Sequence, residues 1–194
     1  MRSTLFLVLS CLLLVASFAL ETKPPMKRVC RGKDVVLDGR YELEWIIDDG
    51  VIEVNLAVDG NVWVGFGWHK TNVRFGEMID ADVVLATFDS NGNGNVADYW
   101  SGGFRPPTLD TELGGTDDII SQTTSQEGGT TYVSFKKPLV TTDEFDWVVE
   151  QDAGRQIIFA HGEDNEYPLK HPLGAAGFKI YNLYGDCTLV SHEN

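Results

Sequence analysis

Residues 51–58 read VIEVNLAV, with Ile52, Val54, Leu56 and Val58 at every second position and Glu53, Asn55 and Ala57 between them. Successive side chains of a β-strand point to opposite faces, so this period of two describes a strand with one face buried. Further strand candidates are RYELEWII (40–47), NVWVGFGW (61–68), ADVVLATF (81–88), NVADYW (95–100), DIISQTT (118–124), TTYVSFKK (130–137), RQIIFAHG (155–162) and GFKIYNLY (177–184). Turn chemistry separates them: DDG (48–50), DGN (59–61), SNGNGN (90–95), SQEGG (125–129) and DAG (152–154). No window carries a sustained 3.6-residue pattern. TTDEFDWV (141–148) predicts one short helical turn, because Thr141 and Glu144 have the spacing of a capping box. Many short strands at roughly 8 to 12 residue intervals imply an all-β, antiparallel β-sandwich.

The chain opens with Arg2 and the apolar run LFLVLSCLLLVASFAL (5–20), followed by a small-residue pattern at Ser17 and Ala19. The run is too short for a typical membrane span and reads as a cleavable secretory leader at 1–19. The expected organisation is then an extended lead-in at 20–36, one sandwich domain at 37–187 and a polar tail at 188–194. Losing Arg2 moves the formal charge from −14 to −15. Such acidity argues against nucleic acid and anionic membrane surfaces as partners. Cys11 leaves with the leader, so Cys30 and Cys187 remain as an even pair in an oxidising compartment and are expected to form a disulfide. The alternative, two free thiols, is uncommon outside the cell. No N-x-[ST] sequon occurs.

The stretch DSNGNGNVADYW (89–100) begins like an EF-hand loop, with Asp89, Asn91, Asn93 and Gly94 in the required places. Its twelfth position, where a bidentate glutamate belongs, is Trp100. Lying between two strand candidates and rich in Asn-Gly steps, the stretch is expected to be a hairpin turn rather than a calcium site.

The chain contains no G-x-S-x-G, P-loop, H-E-x-x-H or C-x-x-C-H motif. His69, His161, His171 and His192 show no metal-ligand spacing, so no metal site and no copper or zinc enzymology is expected. In NVWVGFGW, Val62, Val64, Phe66 and Trp68 share one face, while Trp63, Gly65 and Gly67 share the other. Glycine within a strand marks close approach by a ligand or by another backbone. Trp63, Gly65, Gly67, Trp68 and His161 are the pocket candidates, although His161 shares a face with Ile157 and Phe159, where a hydrogen-bonded core histidine is the default. Asp80, Asp82, Asp98 and Asp110 could serve a cation or sugar hydroxyls, but are expected to cap turns or face water. Trp68, Tyr99 and Trp100 offer aromatic faces to a sugar or to the core.

The serial order WVGFGW (63–68), GEMIDADVV (76–84), DYWSGG (98–103), FKKPL (135–139), IIFAHG (157–162) and KHPLGAAGF (170–178) resembles the DOMON domain, from about Arg40 to Leu183. That family includes the N-terminal domain of dopamine β-monooxygenase and the cytochrome domain of cellobiose dehydrogenase. The resemblance implies an immunoglobulin-like sandwich that binds a ligand, usually haem b or a sugar. Met78 and His171 match the places of the family's axial haem ligands. Enzymatic members join the domain to a copper, flavin or membrane cytochrome unit, none of which has room in these 194 residues.

The expected function is therefore a secreted, non-catalytic ligand-binding module. Haem b held by Met78 and His171, serving electron transfer or haem carriage with an extracellular redox partner, is the first reading. Recognition of a carbohydrate or other small ligand is the second, and a structural or adhesive role is the third.

Overall fold

The computed structural model describes residues 26–69, 78–149, 151 and 154–191; the expected leader lies outside them. Among these residues the strands are β1 (Met26–Val36), β2 (Tyr41–Asp48), β3 (Val51–Asp59), β4 (Val64–His69), β5 (Ile79–Phe88), β6 (Gly94–Gly102), β7 (Thr108–Leu109), β8 (Ser121–Glu127), β9 (Thr130–Pro138), β10 (Arg155–His161), β11 (Ala176–Tyr181) and β12 (Cys187–Ser191). One short helix, α1 (Asp110–Leu113), precedes β8.

Two six-stranded sheets pack face to face, in the orders β12-β1-β2-β3-β9-β8 and β11-β10-β4-β5-β6-β7. Pairing is antiparallel throughout, giving the all-β sandwich expected from the periodicity and the immunoglobulin-like form that the family resemblance implies. VIEVNLAV forms the body of β3, and its alternation sets the register of its sheet. Val54 stands opposite Trp45 of β2 and Phe135 of β9, and all three are buried. Against them the second sheet sets Phe66 and Trp68 of β4, Val84 of β5 and Val96 of β6.

Sheet ends differ from the sequence expectation. Residues 26–36, expected as part of an extended lead-in, form β1, because Val29 and Cys30 are buried while the chain pairs along β2 on one side and β12 on the other. The expected tail likewise contributes most of β12. Cys30 and Cys187 are direct register partners and are joined by a disulfide.

Residues 141–148 form no helix. Thr141 Oγ1 accepts from the Asp143 N–H rather than from the Glu144 N–H that a capping box needs. Asp143 in turn accepts from the Phe145 and Thr116 N–H groups, which ties the segment to a neighbouring loop.

Residues 89–93 close the β5–β6 hairpin, where Phe88 pairs with Gly94. Asp89 Oδ1 accepts from the N–H groups of Asn91 and Asn93, and Oδ2 accepts from the Asn93 side chain. These bonds, that of the Asn93 side chain foremost, hold the Asp89 carboxyl below its usual range. Gly92 supplies the positive φ, at 81°.

Candidate functional site

The second sheet is covered on both faces. Its inner face enters the core, while on its outer face Trp63, Ala81, Val83, Leu85 and Ile158 form a separate apolar cluster with Tyr99, Ala160 and Tyr167 packed against it. Period-two alternation along β4 divides the two layers: Val64, Phe66 and Trp68 go inward and Gly65 and Gly67 outward.

The outer layer does not close completely and leaves a cavity of about 600 Å³. Such a volume lies within the usual range for small-molecule sites. Its floor is the outer face of β4, β5, β10 and β11, and its roof is formed by residues 104–107 and 167–171. Leu85, Gly65, Ala160 and Ala176 are successive register partners across these four strands. Three of the four carry at most a methyl group, so the middle of the floor is flat. Trp63 stands at one wall, edge-on to Tyr167 with ring centroids 5.7 Å apart.

Met78 and His171 both line this cavity. Met78 immediately precedes a register shift between Ile79 and Ala81, where Asp80 adopts φ 60°. His171 is half-buried, and its Nδ1 lies 3.3 Å from the Pro172 carbonyl oxygen. A carbonyl can only accept, so this contact requires the Nδ1–H tautomer and leaves Nε2 as the lone-pair atom. The lining also includes Arg105 and Lys170 and, among the described residues, no Asp or Glu, although the chain carries a formal charge of −14.

The other pocket candidates separate. Trp63 and Gly65 belong to the cavity, whereas Gly67, Trp68 and His161 do not line it. Trp68 is 1% exposed within the core, and its Nε1–H donates to the Trp147 carbonyl. His161 is buried, with Nδ1 on the Gly162 carbonyl at 2.7 Å and no hydrogen-bond partner for Nε2. Gly67 serves close packing: an added Cβ would stand 2.4 Å from the Asp82 carbonyl oxygen and 3.1 Å from Val83 Cα. Gly67→Ala is expected to cost roughly 1–3 kcal/mol of stability, as overpacking against rigid backbone does. Urea unfolding would measure it, with Gly65→Ala, whose Cβ has as its tightest contact a flexible Leu85 methyl at 3.1 Å, costing less.

A second polar centre lies between the sheets. The Lys137 ammonium, on β9, contacts Asp82 of β5 at 2.8 Å, Asp98 of β6 at 2.7 Å and Asp146 at 2.6 Å. It also lies 5.5 Å from the centroid of the Trp68 ring. Its side chain is 1% exposed, so the pairing is fully desolvated. Burial alone would lower the Lys137 pKa, but the three carboxylates outweigh it and raise it. One ammonium cannot neutralise three carboxylates. Burial therefore pushes Asp82 up to about 6 and Asp98 up to about 8 against the pull of Lys137. Asp110, fully buried with neither oxygen hydrogen-bonded, is raised to about 7, first by burial and then by Asp82.

This centre corrects the expectation that Asp82, Asp98 and Asp110 cap turns or face water. A signal was present, because Asp82 is in phase with inward Val84, Asp98 with Val96, and Lys137 with Val133 and Phe135. Asp80 alone of the four is exposed.

The chain belongs to the DOMON domain family, whose model matches residues 37–162. It is 28% identical over 141 residues to the Skeletor protein of Drosophila melanogaster, isoforms B/C, covering 67% of this chain and 18% of that protein. It is 24% identical over 148 residues to a cytochrome b561, DM13 and DOMON domain-containing protein of Arabidopsis thaliana, covering 65% of this chain and 16% of that protein. The chain thus spans less than a fifth of each of these relatives. Its fold is similar to that of the cytochrome b domain of pyranose dehydrogenase from Coprinopsis cinerea, with a TM-score of 0.50 and 10% identity, over 82% of this chain and 80% of the other. No helix among the described residues is long and apolar enough to cross a membrane.

Proposed function

We propose that this protein is a secreted, non-catalytic module whose cavity takes b-type haem, with Met78 and His171 as axial ligands, for electron transfer or haem carriage. The observation that carries the reading is that these two residues, far apart in sequence, line one cavity with a flat Gly/Ala floor. A thioether and an imidazole suit six-coordinate iron, and haem held that way supplies reversible one-electron chemistry. The His171 tautomer leaves Nε2 as the donor atom, while Arg105 and Lys170 offer charge to the carboxylates of a porphyrin. Likeness to a cytochrome b domain and to a cytochrome b561 DOMON protein supports the same assignment. A separate extracellular protein would exchange the electron.

A sugar finds less to hold here. Apart from Trp63, Arg105, Tyr167, Lys170 and His171, the lining side chains are apolar, and a sugar hydroxyl left without a partner is costly to bury. Secretion rests on the leader, so the mature protein should begin at Leu20, as N-terminal sequencing would show.

The test is a visible spectrum after haem is offered and excess removed. A Soret band that shifts on reduction is expected. Met78→Ala and His171→Ala should each weaken haem retention at least about tenfold with the far-ultraviolet circular dichroism unchanged, since losing even a group that only orients a metal ligand costs that much. A well-folded protein that stays colourless overturns the reading. Retention on a polysaccharide resin, indifferent to both variants, would then point to a sugar.

A further inference from the structure

We propose that Asp118, Asp143 and Asp146 form a calcium site where the loop after α1 meets the loop after β9. One carboxylate oxygen from each lies within 4.8 Å of the other two. Calcium binds hard oxygen ligands at about 2.3–2.6 Å in flexible geometry, so oxygens this close can share one ion.

Acidic side chains often cluster in loops without binding anything. What distinguishes this cluster is a buried oxygen with no donor. Asp146 has a side chain only 4% exposed, and its Oδ1 accepts from Lys137. Its Oδ2 accepts from nothing. The Asp118 carboxyl lies against Asp146 and accepts from Thr116 Oγ1 at 2.7 Å. A carboxylate oxygen sealed from water and facing other carboxylates is unfavourable unless a proton or a cation joins them.

The surroundings suit a cation. Asp110 adds two further buried oxygens without partners and is coupled electrostatically to Asp143 and Asp146. The Lys137 ammonium already contacts Asp82 and Asp98 as well as Asp146. The Phe145 and Thr116 N–H groups donate to the two Asp143 oxygens and fix the position of its carboxyl. A hollow of about 210 Å³ beside Asp143, lined by residues 114–116 and 142–145, leaves room for water to complete the coordination. The hairpin loop that spells an EF-hand start has no buried oxygen without a donor: Asp89 is exposed, and both its oxygens accept hydrogen bonds.

Terbium luminescence excited through tryptophan tests the proposal directly. Trp147 adjoins Asp146 in sequence and lies 5.3 Å from Trp100, so an ion bound at the triad has sensitisers close by. Saturable emission is expected, displaced by calcium at about 0.1–1 mM, the range of extracellular modules, and far less readily by magnesium. Asp118→Asn and Asp143→Asn should each weaken binding at least tenfold, while Asp89→Asn leaves it unchanged. Calcium should also raise the Tm of the unaltered protein, and a chelator should reverse the rise. Natively folded protein that shows no sensitised emission and no calcium-dependent Tm overturns the proposal. So does emission that survives both triad variants and disappears in Asp89→Asn, which would return the ion to the hairpin.

Discussion

Lys137→Met is expected to destabilise the protein by about 3–5 kcal/mol at pH 8, the cost of removing one partner of a buried ion pair, and by distinctly less at pH 5. Methionine keeps most of the apolar stem, so the change isolates the ammonium. What remains is Asp82, Asp98 and Asp146 in a dry interior, and a carboxylate there avoids its charge by keeping its proton.

The sign of the pH dependence follows from the raised values. Asp82 at about 6 and Asp98 at about 8 lie above the roughly 3.9 of an unfolded aspartate. The native state therefore holds protons that the unfolded chain has released. The stability these groups contribute is complete below about pH 4 and is lost as pH rises through their folded values. Lys137 is charged in both states over that range and adds no slope. Without it the carboxyls titrate still higher, so stability falls more steeply towards pH 8.

In the unaltered protein the same groups, with Asp110 at about 7, should make stability decline from about pH 5 to pH 8. On the acid side Asp34, Asp89 and Asp143, each held low, lose their contribution below about pH 4. Urea unfolding at half-unit intervals from pH 4.5 to 8.5 would trace both curves. An equal penalty for Lys137→Met at pH 5 and pH 8 would mean that the interior carboxyls do not titrate, and the account would fail.

Removing the Cys30–Cys187 disulfide is the second large change expected. The bridged residues are 157 apart in sequence, and the chain-entropy account assigns a loop of that length up to about 5 kcal/mol. With residual structure in the unfolded chain, a loss of about 2–5 kcal/mol is expected for the Cys30→Ala/Cys187→Ala double variant. For a domain of this size that lowers Tm by roughly 10 °C. The loss should begin locally, because β12 is an edge strand paired only with β1 over five positions. Hydrogen exchange would then show the β12 amides losing protection before those of β2 and β3. Equal loss of protection in all three strands would contradict a local role for the bridge.

The strands were legible because each half-buried one repeats its own pattern locally. Val54, Phe66, Val84 and Phe135 are inward for reasons visible within a few residues. Lys137, Asp82 and Asp98 obey the same phase, yet a lone charge within a strand pattern reads as solvated. Their burial depends on partners from another sheet that no short window contains. The same limit separates Gly65 from Gly67. Both face outward on β4, but only the approach of the Asp82 carbonyl and Val83 backbone makes one a packing glycine and the other cavity floor. Met78 and His171 were reached through the order of family motifs. That they line one cavity emerges only when the roof loop at 167–171 folds over the second sheet.

The cavity is a gap in the outer covering of one sheet and not a cleft between the two sheets. A ligand can therefore enter while the core and the ionic centre stay closed. The roof at 104–107 and 167–171 borders the opening, and Pro106, Pro107 and Pro168 restrict the motions open to it. The rate of ligand capture should then be governed by these two short segments, and change with substitutions in them, while the sandwich beneath acts as a fixed wall.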